Sequence, residues 1–205
     1  MTEAKKLVII GASGHGKVVA DIARECGYSD IIFLDDDITK KSCGCCQVLG
    51  TSQDVHKFED WDFIVAIGNA KIRKKIQNSL TDEGLRITTL IHPNAVMGSE
   101  VEIGTGSVVM AGAVINAHAH MGEGCIINTC ASVDHDCIIG AYVHVSVGAH
   151  VAGTVTIGEG TWIGAGATVI NNVEITSECM IGAGAVVVKS IEEKGTYIGV
   201  PARRM

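Results

Sequence analysis

The stretch VGAHVAGTVTIGEGTWIGAGATVI, Val147 to Ile170, carries an aliphatic side chain at every sixth residue: Val151, Ile157, Ile163 and Val169. Stepping by six in both directions gives Ile91, Met97, Ile103, Val109, Ile115, Met121, Ile127, Val133, Ile139 and Val145, then Ile175, Ile181 and Val187, with no exception and no insertion. Four residues beyond each of these as far as Ile181 the side chain is small, from Ala95, Val101, Ser107, Ala113 and Ala119 through Cys125, Ala131 and Cys137 to Ala185. Glycine often follows the aliphatic residue, as at Gly98, Gly104, Gly122, Gly140, Gly158, Gly164 and Gly182. A fixed period marks a stacked architecture. Each hexad supplies one short strand and one turn, and three hexads close a coil of about 18 residues whose strands stack at the usual ~4.8 Å. The aliphatic residue points inward, and the small one fits near a corner. This predicts a three-sided parallel solenoid beginning at residue 91 and followed by a C-terminal tail to residue 205.

The totals agree with a repetitive, tightly turned backbone. Glycine fills 25 of 205 positions, about twice ordinary usage, and aromatic residues make up only 4%. A formal charge of -7 offers no basic footprint, so nucleic acid is not an expected partner. No apolar run approaches the ~20 residues of a membrane span, and the apolar run after MTEAKK is too short for a secretory core. The expectation is a cytoplasmic protein without membrane insertion. Of the eight cysteines, Cys125, Cys137 and Cys179 share the small-residue position and read as buried hydrophobes. Cys43, Cys45 and Cys46 read as a loop with reduced thiols, because no second pair at zinc-finger spacing accompanies them.

Residues 1–90 read as α/β. KLVII is a buried strand, GASGHG (Gly11–Gly16) a turn, and KVVADIARECG a helix with apolar residues at helical spacing, closed at Gly27. DIIFLDD and WDFIVAIGN are further strands, KIRKKIQNSL a basic helix, and LRITTLIHP the entry to the solenoid. The glycines of GASGHG are spaced G-x-x-G-x-G, not as in the dinucleotide fingerprint. The turn nevertheless follows a strand, opens a helix N-terminus that favours anions, and precedes the acids Asp35 and Asp36. A full dinucleotide fold needs two such halves. A half-Rossmann domain holds one nucleotide, which favours a nucleoside diphosphate bearing a small group over NAD.

The repeat and the closing GVPARRM resemble the hexapeptide-repeat acyltransferases. The order GASGHG, FLDD, ASVDHD, HVSVGAHVAG and GVPARRM is most similar to the bacterial sugar O- and N-acyltransferases, a group that includes sialic-acid O-acetyltransferases and the acetyltransferases of nucleotide-linked 4-amino-4,6-dideoxy sugars. The resemblance implies a left-handed parallel β-helix, a homotrimer and acetyl-CoA bound between neighbouring prisms.

Histidine concentrates in the repeat: His92, His118, His120, His135, His144 and His150. His135, between Asp134 and Asp136, is the expected general base. The resemblance gives this role to a histidine followed by an acid, with Asp136 standing where glutamate is expected. A neighbouring carboxylate orients an imidazole and raises its basicity. Residues 18 apart stack, so Gly153 lies beside His135 and its N–H suits an oxyanion. By the same rule His118 shares a column with Asp136 and is expected to orient it. The expected acceptor contacts are Ser13, Gly14, His15, Gly16, Asp35, Asp36, Gly68, Asn69 and His144. For acetyl-CoA the resemblance implies His144, Gly153, Ala165, Gly166, Ala183 and Arg203. No metal is expected, since the spacing fits poorly with the zinc-dependent solenoid carbonic anhydrases. The reading is N-acetylation of the 4-amine of a UDP-linked sugar. Two alternatives stay open: O-acetylation of a sialic or related nonulosonic acid, and a non-catalytic nucleotide-sugar-binding solenoid.

Overall fold

In the computed structural model, which describes residues 4–205, contacts divide the chain into one unit ending at Pro93 and another running from Asn94 to Met205. The first contains, in order, β1 (Lys5–Ile10), α1 (Gly14–Glu25), β2 (Tyr28–Leu34), β3 (Ser42–Cys43), β4 (Cys46–Gln47), β5 (Asp62–Val65), α2 (Ala70–Asp82) and β6 (Arg86–Ile87). A four-stranded parallel sheet has the order β2-β1-β5-β6. The run Leu7-Val8-Ile9 is fully buried in β1, as a central parallel strand requires. The chain leaves β1 toward one side for β2 and later returns on the other for β5. The carboxyl ends of β1 and β5 therefore flank a topological switch point, where open α/β sheets bind ligands. Helix α1 ends where the sequence places its cap, with Gly27 at φ +87° just beyond Cys26.

In the second unit each hexad contributes a two-residue strand, and the strands form three parallel sheets, one per face. The register advances by one coil at each step, for example Ser132↔His150 and Val133↔Val151. From Val109 to Val187 the aliphatic residue of every hexad is buried in one continuous core, together with the small residues between them. Met97 and Ile103, in the first coil, are only partly buried against this core. At the far end, Thr196–Ile198 pairs in parallel with Met180–Ile181, and Arg203–Arg204 folds back on it antiparallel, covering the last coil.

Two classes of glycine emerge. From residue 100 to 184 every sixth residue has positive φ, and the position holds Gly in some hexads and Glu100, His118, Cys130, Asp136, Tyr142, Thr154, Asn172 or Glu178 in others. The glycines that follow the aliphatic residue serve a different purpose. A Cβ on Gly104, Gly122, Gly140 or Gly158 would come within 2.7 Å of backbone atoms in the next coil. Stacking distance, not backbone conformation, excludes a side chain there.

Candidate active site

His135 follows the strand Ser132–Val133 at one corner of the solenoid. Asp136 occupies the left-handed position of that turn, at φ +57°. This conformation, which Asp tolerates better than most residues, brings its Oδ2 to 2.7 Å from His135 Nδ1. The shorter carboxylate therefore reaches the ring that a glutamate would be expected to hold. With Nδ1–H donating to Asp136, Nε2 carries the free lone pair. It lies against the next coil: a Cβ on Gly153 would be 2.6 Å from Nε2. The backbone there is fixed by Thr154 N–H donating to His135 O at 2.8 Å and Ala152 N–H donating to Val169 O at 3.0 Å. Asp134 accepts from Asn116 Nδ2 at 2.7 Å and from His135 N–H at 2.8 Å, so it anchors the backbone of the turn. Asn116 escaped the sequence reading, although it stands 18 residues before Asp134 in the same column. The hydrogen bond to Asp136 raises the His135 pKa above its ordinary value, against slight desolvation and with help from the charges of Asp134 and Asp136.

The remaining histidines are dispersed. His118 pairs with Glu100 at 3.3 Å and does not orient Asp136, which corrects the column argument: the stacked neighbour on the other side takes its ring. His120 pairs with Glu102, and His150 with Ser132. Among the described residues no cluster of three or more metal-binding side chains forms. His144 lies on a different face from the 135 corner, half a coil away, 92% buried, with Nε2 3.2 Å from Asn128 Nδ2 and its ring 4.6 Å from Trp162. Ala165, Gly166 and Ala183 belong to a third location, the corner after Trp162–Ile163. Gly148, Gly166 and Gly184 stack there, and a Cβ on any of them meets nothing within 4 Å, leaving a bare backbone edge. Arg203 is exposed in the tail, its Nη1 donating to Ala202 O.

In the first unit the predicted turn is braced from both sides. Ser13 caps α1, its Oγ accepting from Gly16 N–H. Gly14 opens the helix, and Gly16 is required by contact, since a Cβ there would lie 2.3 Å from Gly11 O and 2.9 Å from Phe33. Asp35 is committed to the protein itself, accepting from Ala12 N–H at 2.7 Å, Asp37 N–H and Lys40. Burial would raise its pKa, and these bonds more than offset that, holding it below the usual carboxylate value. Asp36 accepts from Ser52 N–H at 2.8 Å and lines a cleft of about 480 Å³ with Ile10, Ser52, Lys71 and Lys75. Asn69 caps α2 through Ile72 N–H. Arg73, part of the helix read from sequence as basic, is fully buried, and its Nη1 donates to Ile67 O at 2.7 Å and Gly68 O at 2.8 Å. It shapes the loop after β5. Desolvation, followed by the Arg73 charge, lowers the His15 pKa to about 4, so the ring is neutral at physiological pH. His15 Nε2 is buried and makes no hydrogen bond among the described residues.

Residues 6–80 match the PglD N-terminal domain family, and residues 154–189 the bacterial transferase hexapeptide family of six repeats. The solved acetyltransferase domain of PglB from Neisseria gonorrhoeae, in complex with acetyl coenzyme A, is 41% identical with a TM-score of 0.94, covering 99% of this chain and 100% of that one. The chain belongs to the hexapeptide-repeat sugar acetyltransferases. PerB from Caulobacter crescentus, solved with CoA and GDP-perosamine, is 37% identical with a TM-score of 0.94, covering 99% of this chain and 98% of that one. The UDP-N-acetylbacillosamine N-acetyltransferase of Bacillus subtilis is 37% identical over 112 residues, 52% of each protein, so the match spans about half the length of such curated relatives. The solenoid is thus the left-handed β-helix of these acetyltransferases, preceded by their parallel-sheet domain.

Proposed function

We propose that this chain transfers an acetyl group from acetyl-CoA to the 4-amine of a UDP-linked 4-amino-4,6-dideoxy sugar. The observation that carries the reading is the His135–Asp136 pair, with Nδ1 held at 2.7 Å and Nε2 turned toward Gly153. Nε2 takes a proton from the amine as its nitrogen attacks the thioester carbonyl. The Gly153 N–H donates to the oxyanion of the tetrahedral intermediate. Collapse forms the amide and breaks the C–S bond, and the CoA thiolate takes the proton back from His135. The acceptor diphosphate is assigned to the Ser13–Gly16 turn, at the N-terminus of α1 beside the switch point, where a phosphate oxygen would satisfy the buried His15 nitrogen. The cleft that begins at Ile10 carries both signs of charge, Lys71 and Lys75 against Asp36 and Glu83.

The acetyl-CoA residues argue for a second copy. In one chain the His135–Gly153 corner and the bare Gly148–Gly166–Gly184 corner lie at different edges of the prism, a third of a coil apart in sequence period. A homotrimer that sets one corner beside the other in the next subunit unites them, and light scattering tests the assembly. This reading puts the reaction in the cytoplasm, which supplies acetyl-CoA and nucleotide sugars; no helix among the described residues is long and apolar enough to cross a membrane.

The decisive experiment measures acetyl-CoA consumption with UDP-linked and GDP-linked 4-amino-4,6-dideoxy sugars, free amino sugars and sialic acid. Saturable turnover with the UDP-sugar is expected. Preference for the GDP-sugar, which the PerB likeness favours as the second reading, moves the nucleotide assignment but not the chemistry. Turnover with sialic acid alone refutes the acceptor class.

The raised His135 pKa fixes a sign. Neutral imidazole is the active form, so activity falls as pH drops through a value above that of an ordinary histidine. Asp136→Asn is expected to lower kcat by roughly tenfold or more and to shift the acid limb of kcat/KM to lower pH. An unshifted limb removes Asp136 from the mechanism.

A further inference from the structure

The acetyl-transfer chemistry leaves Cys43-Gly44-Cys45-Cys46 without a role. These residues form the β3–β4 hairpin, where Gly44 takes φ +60° at the first of the two turn positions, a place such hairpins reserve for glycine. Cys43 and Cys46 are direct partners across the ladder, so both side chains leave the same face of the ribbon. Both are buried, whereas Cys45 is exposed. Opposed residues in an antiparallel pair have Cα atoms ~4.5–5.5 Å apart, inside the ~4.4–6.8 Å that a disulfide spans. The adjacent pair Cys45 and Cys46, at ~3.8 Å, falls outside it.

Three hydrogen bonds tie this hairpin to α1 and its cap. Arg24 Nη2 donates to Cys45 Sγ at 2.7 Å and to Cys46 Sγ at 2.9 Å. A guanidinium against sulfur favours the thiolate, which is the attacking form; burial first, and then the charge and hydrogen bond of the neighbouring Cys45 sulfur, oppose it and keep the Cys46 thiol above its ordinary pKa. Cys43 Sγ donates to the carbonyl oxygen of Ser13 at 3.4 Å, on the residue that caps α1.

We infer that Cys43 and Cys46 form a reversible thiol–disulfide site, a C-x-x-C couple built against the Ser13 turn. The oxidant is a low-molecular-weight disulfide, RSSR. The Cys46 thiolate attacks one of its sulfurs, the S–S bond breaks, and the departing RS⁻ is protonated to RSH. Cys43 then attacks the Cys46 sulfur of the mixed disulfide, and a second RSH leaves. Two electrons and two protons pass from the cysteines to RSSR. A ribbon of two residues per strand opens locally at low cost, which admits the reagent to the buried pair. Closing the bridge removes the sulfur–hydrogen donor from Ser13 O, so oxidation acts on the turn assigned to the acceptor diphosphate. That consequence rests on the proposed function, while the bridge does not.

The test equilibrates the full chain in glutathione buffers of rising oxidised-to-reduced ratio, alkylates it, and maps peptides by mass. A Cys43–Cys46 bridge is expected, reversed by dithiothreitol, with Cys45 alkylated throughout. It is expected to be lost in Cys46→Ser and to form at least threefold more slowly in Arg24→Ala. Alkylation of Cys43 and Cys46 as complete as that of the exposed Cys45 at every ratio overturns the site, as does a bridge made only by Cys45. Titration with UDP and GDP then compares the two forms: binding at least threefold weaker when oxidised is expected, and equal affinity overturns the coupling. Failure of both forms to bind either nucleotide counts against the acceptor assignment instead.

Discussion

His135→Ala is expected to reduce kcat by 10²-fold or more, within the range lost when a general base is removed. The side chain is 57% exposed and makes its hydrogen bond to the adjacent Asp136, so its loss leaves the coil intact. Nucleotide binding and oligomeric mass should match the wild type, and circular dichroism should superimpose. The residual rate reports what positioning the two substrates contributes without proton transfer. Turnover within a few-fold of wild type would sink the assignment of His135 as the base.

Gly122→Ala is expected to cost about 3 kcal/mol, the upper end of ordinary overpacking. The new methyl carbon would sit 2.6 Å from Ala141 N and 2.7 Å from Ala141 Cα. Those are backbone atoms of the next coil, and they cannot yield without lifting a ladder whose local bonds include Gly122 N–H to Ile139 O at 2.8 Å. Gly166→Ala is the control. Gly166 has φ +65° and no atom of its own chain within 4 Å of an added Cβ, so within the protomer only the conformational penalty of ~1–2 kcal/mol applies. Thermal melting should place Gly122→Ala on the order of 10 °C below wild type and Gly166→Ala closer to it. Equal shifts would show that coil contact is not what excludes a side chain at residue 122.

The glycine pair also shows what spacing conveys. The run of glycines after the aliphatic residue was visible as a pattern, but its cause was not, because contact between coils is a distance and not a composition. The second set, at the left-handed turn position, was obscured because Asp136, Tyr142 and others occupy the same conformation. In the first unit the strands, helices and the Gly-rich turn were legible from apolar runs and cap residues. Arg73 was not: a buried guanidinium needs acceptors for its N–H groups, and two of them are the carbonyls of Ile67 and Gly68 in the loop before α2, which the sequence does not advertise. Asp35 was expected at the ligand, yet its carboxylate is engaged by Ala12, Asp37 and Lys40, bracing the turn that faces the switch point.

The sequence by itself determined the solenoid, its uninterrupted register and the stacking of His135 on Gly153. A strict six-residue period maps onto three faces and an 18-residue coil with no freedom left over. Tertiary structure alone decided where the side chains point. The left-handed turn at Asp136 brings its carboxylate to Nδ1 and leaves Nε2 toward Gly153, while His118, in the same column as Asp136, turns to Glu100. Period fixes neighbours along a stack, but backbone dihedrals and hydrogen-bond competition choose between them.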